Sequence, residues 1–412
     1  MHAAYRTHLI LRFTADLANV LIWTGFTVFQ LTVVGMSPLQ LVLVGSIFEI
    51  TILLCEVPTG IIADLFSRRL SVIIGFALTA LSYILQAVYP VFAVAVLGAI
   101  IWGVGITCIS GAYDAWLADE LGAERLGAAL LRGEQVGRVA ALCGLAGSAL
   151  LGALALQLPV LVGGALFAAA ALYLALCMPE TTFSPAAPDE RTTWRRMLHT
   201  LRAGIQVVRG RPALLRLLGI LFFFGLFSEA WDRLWQVHLV RTFDLATFGP
   251  PLTLIAGLSA VEMLMSLLAA ELVRRRLRGD DPSQARRLIF WFTAVMVVSL
   301  CGYGLAPHIG VAMLLVVVFG VARGLIRPLL QTWSNAQIVD GRVRATVLSL
   351  GGQSDALGQL MGGPPLGAVA NRSLRAAFLA SSLLLVPNLW LLRTRAEKPP
   401  ESAAQAAEVA EP

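Results

Sequence analysis

Residues 38–89 read PLQLVLVGSIFEITILLCEVPTGIIADLFSRRLSVIIGFALTALSYILQAVY: two apolar runs, 38–64 and 70–89, joined by a short turn carrying Asp64, Arg68 and Arg69. Each run is long enough to cross a bilayer, which takes about 20 residues of helix. A connection this short forces the two spans to run antiparallel. Elsewhere Val91 to Thr107 and Val311 to Val321 are apolar all round, which suits lipid better than a half-wet core.

Reading outward from this pair, apolar runs separated by Pro, Gly and charge clusters fall at 9–34, 38–64, 70–89, 91–117, 136–157 and 159–178. A second set follows at 213–240, 251–273, 287–305, 308–334, 345–369 and 375–393. The chain of 412 residues is 58% hydrophobic and 14% charged, against about 25% charged in soluble domains. The sequence therefore predicts an all-α membrane protein of about twelve spans. The one long connection, 179–212, is rich in Pro, Thr and Arg and divides the chain into six-helix halves at 1–178 and 213–393. Within it Thr193 to Arg209 has the pattern of a basic amphipathic helix on the membrane surface. Residues 394–412, rich in Ala, Glu and Pro, have the composition of a disordered tail.

Charge sets the orientation. The basic residues, all arginine except Lys398, gather in alternate loops: Arg68 and Arg69, then Arg125, Arg132 and Arg138, then a cluster from Arg191 to Arg216. Arg274 to Arg287 and Arg342 with Arg344 continue the series, while the opposite loops carry Arg241, Arg372 and Arg375. The positive-inside bias places both termini in the cytoplasm. A net charge of +6 distributed this way is orientation information, not a nucleic-acid surface. The five cysteines lie inside apolar segments without metal-binding spacing and read as small core residues. The first apolar stretch, Leu9 to Val34, lacks an A-x-A-like cleavage site and is expected to be a retained span.

The turn after the second span, Gly60-Ile61-Ile62-Ala63-Asp64-Leu65-Phe66-Ser67-Arg68-Arg69, resembles the G-x-x-x-D-x-x-[GS]-R-[RK] signature of the major facilitator superfamily, at the loop where that signature belongs. Pro179-Glu180-Thr181 and Arg344-Ala345-Thr346 are similar to further landmarks of that superfamily. The runs Gly111 to Glu120 and Ser228 to Trp235 resemble bacterial exporter-like members. The resemblance implies two six-helix bundles with pseudo-two-fold symmetry, alternating access and no cofactor. It also makes Gly60, Asp64, Arg68, Arg69 and Asp119 a conformational gate. Gly60 would allow close helix approach, and the acids closing the fourth span, Asp114, Asp119 and Glu120, would meet Arg68 or Arg69. The drug-antiporter motif of the fourth span is incomplete: Gly103 and Gly105 match, but Ala99 replaces its arginine and Trp102 its glutamine.

Ionisable groups at bilayer depth need a partner, a cavity or water, since each costs about 2.5–3.5 kcal/mol or more. Asp16, Glu229, Glu262 and Glu49 are candidates to exchange a proton, with the alternative that each is the fixed partner of an arginine. Arg12, Trp23, Trp102, Asp114, Asp232, Arg233, Arg323 and Arg327 are candidates to line a substrate cavity. Trp23, Phe26, Trp102, Trp231, Trp235 and Trp333 could together form an aromatic pocket for lipophilic molecules. The expected function is proton-coupled export of a drug-like or lipophilic compound by a monomer in a bacterial inner membrane. The alternative is uptake or exchange of a metabolite or organic anion held by Arg323 and Arg327. No P-loop, H-E-x-x-H or nucleophile elbow argues for an enzyme or for ATP as energy source.

Overall fold

A computed structural model describes residues 3–183, 212–276, 282–337 and 341–393. The first half comprises α1 (Ala3–Trp23), α2 (Phe26–Thr32), α3 (Pro38–Leu65), α4 (Arg68–Val88), α5 (Phe92–Leu121), α6 (Ala123–Leu154) and α7 (Leu158–Cys177). The second comprises α8 (Pro212–Thr242), α9 (Pro251–Arg276), α10 (Pro282–Gly304), α11 (Ile309–Gln337), α12 (Gly341–Arg372) and α13 (Leu374–Arg393). Helices α1 and α2 are one span broken at Thr24–Gly25. Twelve spans therefore alternate in direction, so that α1 starts and α13 ends at the same face of the bundle, called here the terminal end; the other is the far end. Eleven of the spans are long and apolar enough to cross a membrane. The twelfth, α12, has the length but carries Gln353, Ser354, Asp355 and Gln359 at mid-height. The amphipathic segment expected at Thr193 to Arg209 and the tail 394–412 lie outside the described residues.

Local chemistry marks the helix starts. Ser37 and Gln40 form a reciprocal capping box at α3, with Pro38 in the first turn where no amide partner is needed. Ser67, the small residue of the signature, caps α4 by accepting from the Leu70 amide at 2.9 Å. Gly122, at φ 72°, makes a one-residue turn between α5 and α6. The helices overrun the apolar segments, α5 to Leu121 and α6 from Ala123, because a charged stretch stays helical where it leaves the bilayer.

Small residues set the packing, as expected where lipid gives no hydrophobic drive between helices. A methyl group at Gly362 would lie 2.7 Å from the Leu226 carbonyl carbon, and one at Gly358 would lie 3.1 Å from the Cα of Gly225. Helices α8 and α12 therefore touch backbone to backbone. In the first half, Ser71 of α4 donates to the Cys108 carbonyl of α5 at 2.8 Å. The cysteines are not uniformly core residues. Cys108 is buried, whereas Cys143 and Cys177 are exposed.

Candidate functional site between the two halves

The halves meet at the far end. The break between α1 and α2 frees the Thr24 carbonyl, which accepts from Gln236 Nε2 of α8 at 3.1 Å. The Leu39 amide of α3 donates to Asn371 Oδ1 of α12 at 3.0 Å. Gly367 lies against Val42 and Leu39. At the terminal end the halves are parted, and Gly60 has nothing within 4 Å of an added methyl group. Gly60 was expected to bring two helices together; here an added methyl group on it would meet open space. Among the described residues the structure is thus closed at the far end and open at the terminal end.

The opening leads to charges at mid-height. On the first half, Arg12 bridges Asp16 at 3.1 Å and Glu134 of α6 at 2.9 Å. On the second, Arg323 of α11 donates through both terminal nitrogens to the carboxylate of Asp232 on α8, one of the bonds at 2.8 Å. Both partners are more than a third exposed. Glu262 of α9 packs over Gly320 and lies within electrostatic reach of Arg323. Asp355 of α12 accepts from Gln359 at 2.8 Å, and its field reaches Arg323 and Arg327. Glu49 of α3 faces this group across the gap, in electrostatic reach of Glu229, Arg233, Asp355 and Asp232. Arg327 is exposed on the same helix as Arg323.

Above this group lies a sealed pair. Arg233 donates from Nε to Glu229 Oε1 at 3.3 Å, with side chains 11% and 5% exposed. A methyl group at Gly45 of α3 would collide with Arg233 Nε at 2.7 Å, and one at Gly363 would lie 3.0 Å from Glu229 Cγ. The guanidinium sits 5.5 Å from the Trp23 ring centre. It lines a pocket with Trp23, Phe26, Phe48, Tyr83 and Trp102, all from the first half.

Several expectations change here. The arginine partners of the acids on α8 are now defined: Asp232 takes Arg323 and Glu229 takes Arg233, while the neighbours Asp232 and Arg233 leave the helix on different faces and do not pair. The tryptophans divide. Trp23, Phe26 and Trp102 share the pocket, whereas Trp231 packs on Phe319 in the core of the second half and Trp333 is buried elsewhere in that core. Sequence reasoning missed Glu134, which fell before the segment drawn at 136, and Phe48 and Tyr83, whose apolar surroundings gave no signal.

At the terminal end Arg68 pairs with Asp119, and Asp64 reaches Arg68 at 4.0 Å. These contacts lie within the first half, so they do not themselves join the halves. Arg69 donates to the Ala175 carbonyl at 2.6 Å. Glu120 instead accepts from the amides and hydroxyls of Thr181 and Thr182, holding the start of the central connection. Asp114 is exposed and lies in the field of His8 rather than beside Arg68.

The profile of the Major Facilitator Superfamily matches residues 9–362. An uncharacterized MFS-type transporter, YxaM of Bacillus subtilis (strain 168), is 21% identical over 201 residues, 49% of this chain and 50% of that protein. The match spans about half the length of that curated relative. The crystal structure of the nucleoside transporter NupG superposes with a TM-score of 0.78 at 11% identity, over 95% of this chain and all of that one (100%). A bacterial homolog of the human lysosomal transporter Spinster, crystallised inward-facing and unoccupied, gives 0.71 at 14% identity, over 94% of this chain and 95% of that one. Identities this low speak for the fold alone, but the profile covers most of the chain. Together with the signature turn and the charged gap between two six-helix halves, it makes the chain a member of the Major Facilitator Superfamily.

Proposed function

We propose that the protein exports organic cations in exchange for protons, from a bacterial cytoplasmic membrane with both termini on the cytoplasmic side. The observation that carries this is the charge of the gap. Asp16, Glu49, Glu134, Asp232, Glu262 and Asp355 outnumber Arg12, Arg138, Arg323 and Arg327 among the described charges around it. Surplus carboxylates at bilayer depth are tolerable when they carry protons or face a cation. A site of that kind holds either one and gives up the first to take the second. Glu49, Glu262, Asp232 and Asp355, half-exposed to the gap, are the carboxylates suited to the exchange.

The anion alternative has less support. Arg323 is chelated by Asp232 and brings little uncompensated charge, which leaves Arg327 to hold an anion among acids. The arginine-rich loops support the orientation, since they fall at the terminal end.

The test is transport in proteoliposomes under an imposed pH gradient, with a cationic dye such as ethidium and an anionic one such as a carboxyfluorescein. Gradient-driven movement of the cation, lost in Asp232→Asn or Glu49→Gln, is the expected result. Movement of the anion alone, with the cation inert and Arg327→Gln inactive, would overturn the reading in favour of the alternative.

A further inference from the structure

We propose that Arg233 is the latch of the far end: a guanidinium belonging to the second half that lies 5.5 Å from the Trp23 ring and closes one side of an aromatic box built by the first. Every wall of the box comes from a different element. Trp23 comes from α1, Phe26 from α2, Phe48 from α3, Tyr83 from α4 and Trp102 from α5. The box is preformed by its own stacking, with Phe48 and Trp102 rings 3.8 Å apart and Trp23 and Trp102 5.2 Å apart. Glu229 is the counter-ion that makes burial of the guanidinium tolerable, and Gly45 and Gly363 leave the space that both side chains fill. Other polar groups around the pair are Gln86 and the Tyr83 hydroxyl on the pocket side, Ser46, whose hydroxyl lies 3.4 Å from the methyl position of Gly363, and Glu49, Asp232 and Arg323, whose charges reach it.

The consequence follows from alternating access, and it rests on membership of the superfamily, not on cation export or proton coupling. For the far end to open, α8 must leave α1 and α3. Arg233 then has to leave Trp23 and the side of the box it closes, and Glu229 has to leave its seat against Gly45. The cation–aromatic contact is thereby made in one access state and lost in the other. That is the differential interaction needed for a residue to bias an equilibrium. Glu229, sealed in the state that is open to the terminal end, acts as the partner of the latch in that state rather than as an acid in contact with the open gap.

The experiment reads the gate and needs no substrate. Ser46, 6% exposed between the halves, is changed to cysteine in a chain whose native cysteines are replaced. Its reaction with a membrane-impermeant maleimide is then timed from the far side of sealed vesicles. A parallel chain carries Gly60→Cys and is labelled from the terminal side. The double substitution Glu229→Gln with Arg233→Met keeps volume and leaves no unpaired charge. It should raise Ser46→Cys labelling about tenfold or more, the ratio expected when a desolvated cation–aromatic contact is lost, and lower Gly60→Cys labelling in step. Trp23→Phe should give a smaller rise in the same direction. Unchanged Ser46→Cys labelling in both variants would overturn the latch. A rise at Ser46 with no fall at Gly60 would overturn it too, since that marks local loosening rather than a change of access state.

Discussion

Two ion pairs leave α8 within a single turn of helix and meet opposite fates. Glu229–Arg233 is closed within α8, four residues apart, and buried between the halves. Asp232–Arg323 reaches across to α11 and stands open to the gap. The chemistry is the same, an arginine with a carboxylate; what differs is water. In the sealed pair each charge depends on the other, because losing one partner strands a buried charge. In the open pair solvent and the neighbouring Glu262 and Asp355 share the work, so the arginine can change partners at little cost in stability. The first arrangement is suited to holding a conformation and the second to exchanging a ligand.

The sharpest way to break the comparison is to remove one sealed partner. Glu229→Gln should lower unfolding stability in detergent by about 3–5 kcal/mol, the range for a broken buried pair, read as a fall in the melting transition. A loss below about 1 kcal/mol, the range of a surface pair, would mean that the site is wet. Next, Gly45→Val forces a side chain into the space held by Glu229 and Arg233 and should cost about 1–3 kcal/mol through overpacking, with purified yield and melting as the measurements. Trp23→Phe keeps an aromatic face over Arg233 but weakens it, and about 1 kcal/mol is expected on the same melt. Asp232→Asn should have the smallest effect on stability, about 1 kcal/mol or less. In dye transport, however, it should be the most damaging of the four that still folds well. If it melted as early as Glu229→Gln, the contrast between the two pairs would be lost.

What the sequence revealed and what it hid follow from the range of the interactions. The spans were legible because apolar length is a local property, and the first-half contacts around Arg68 were within reach of a motif tied to one loop. The Glu229–Arg233 spacing, one helical turn, is legible in the sequence, although the adjacent Asp232 offers a competing acid. Asp232–Arg323 could not be read, since it joins residues on helices separated by two other spans. Gly60 shows a different limit: a residue suited to close approach need not make one, and here it meets nothing. The aromatic box was half visible, as tryptophans are conspicuous while Phe48 and Tyr83 are unremarkable among apolar neighbours. Helix α12 would fail a hydropathy reading taken alone, because its polar mid-section faces the gap and the glycines on its other side face α8.

Those glycines have a mechanical consequence. With Gly225 of α8 set against the backbone of Asp355, and Gly358 and Gly362 of α12 against the backbone of α8, neither helix can slide or roll without the other. Side chains can yield by changing rotamer, but two main chains in contact cannot. Helices α8 and α12 therefore behave as one stiff beam. It carries Asp232, Arg233 and Asp355 along its middle part and, at the far end, Asn371. A change of charge at the middle of such a beam has a long arm over which to act. A displacement too small to notice beside Asp355 grows with distance from the pivot, and is largest where Asn371 grips the start of α3.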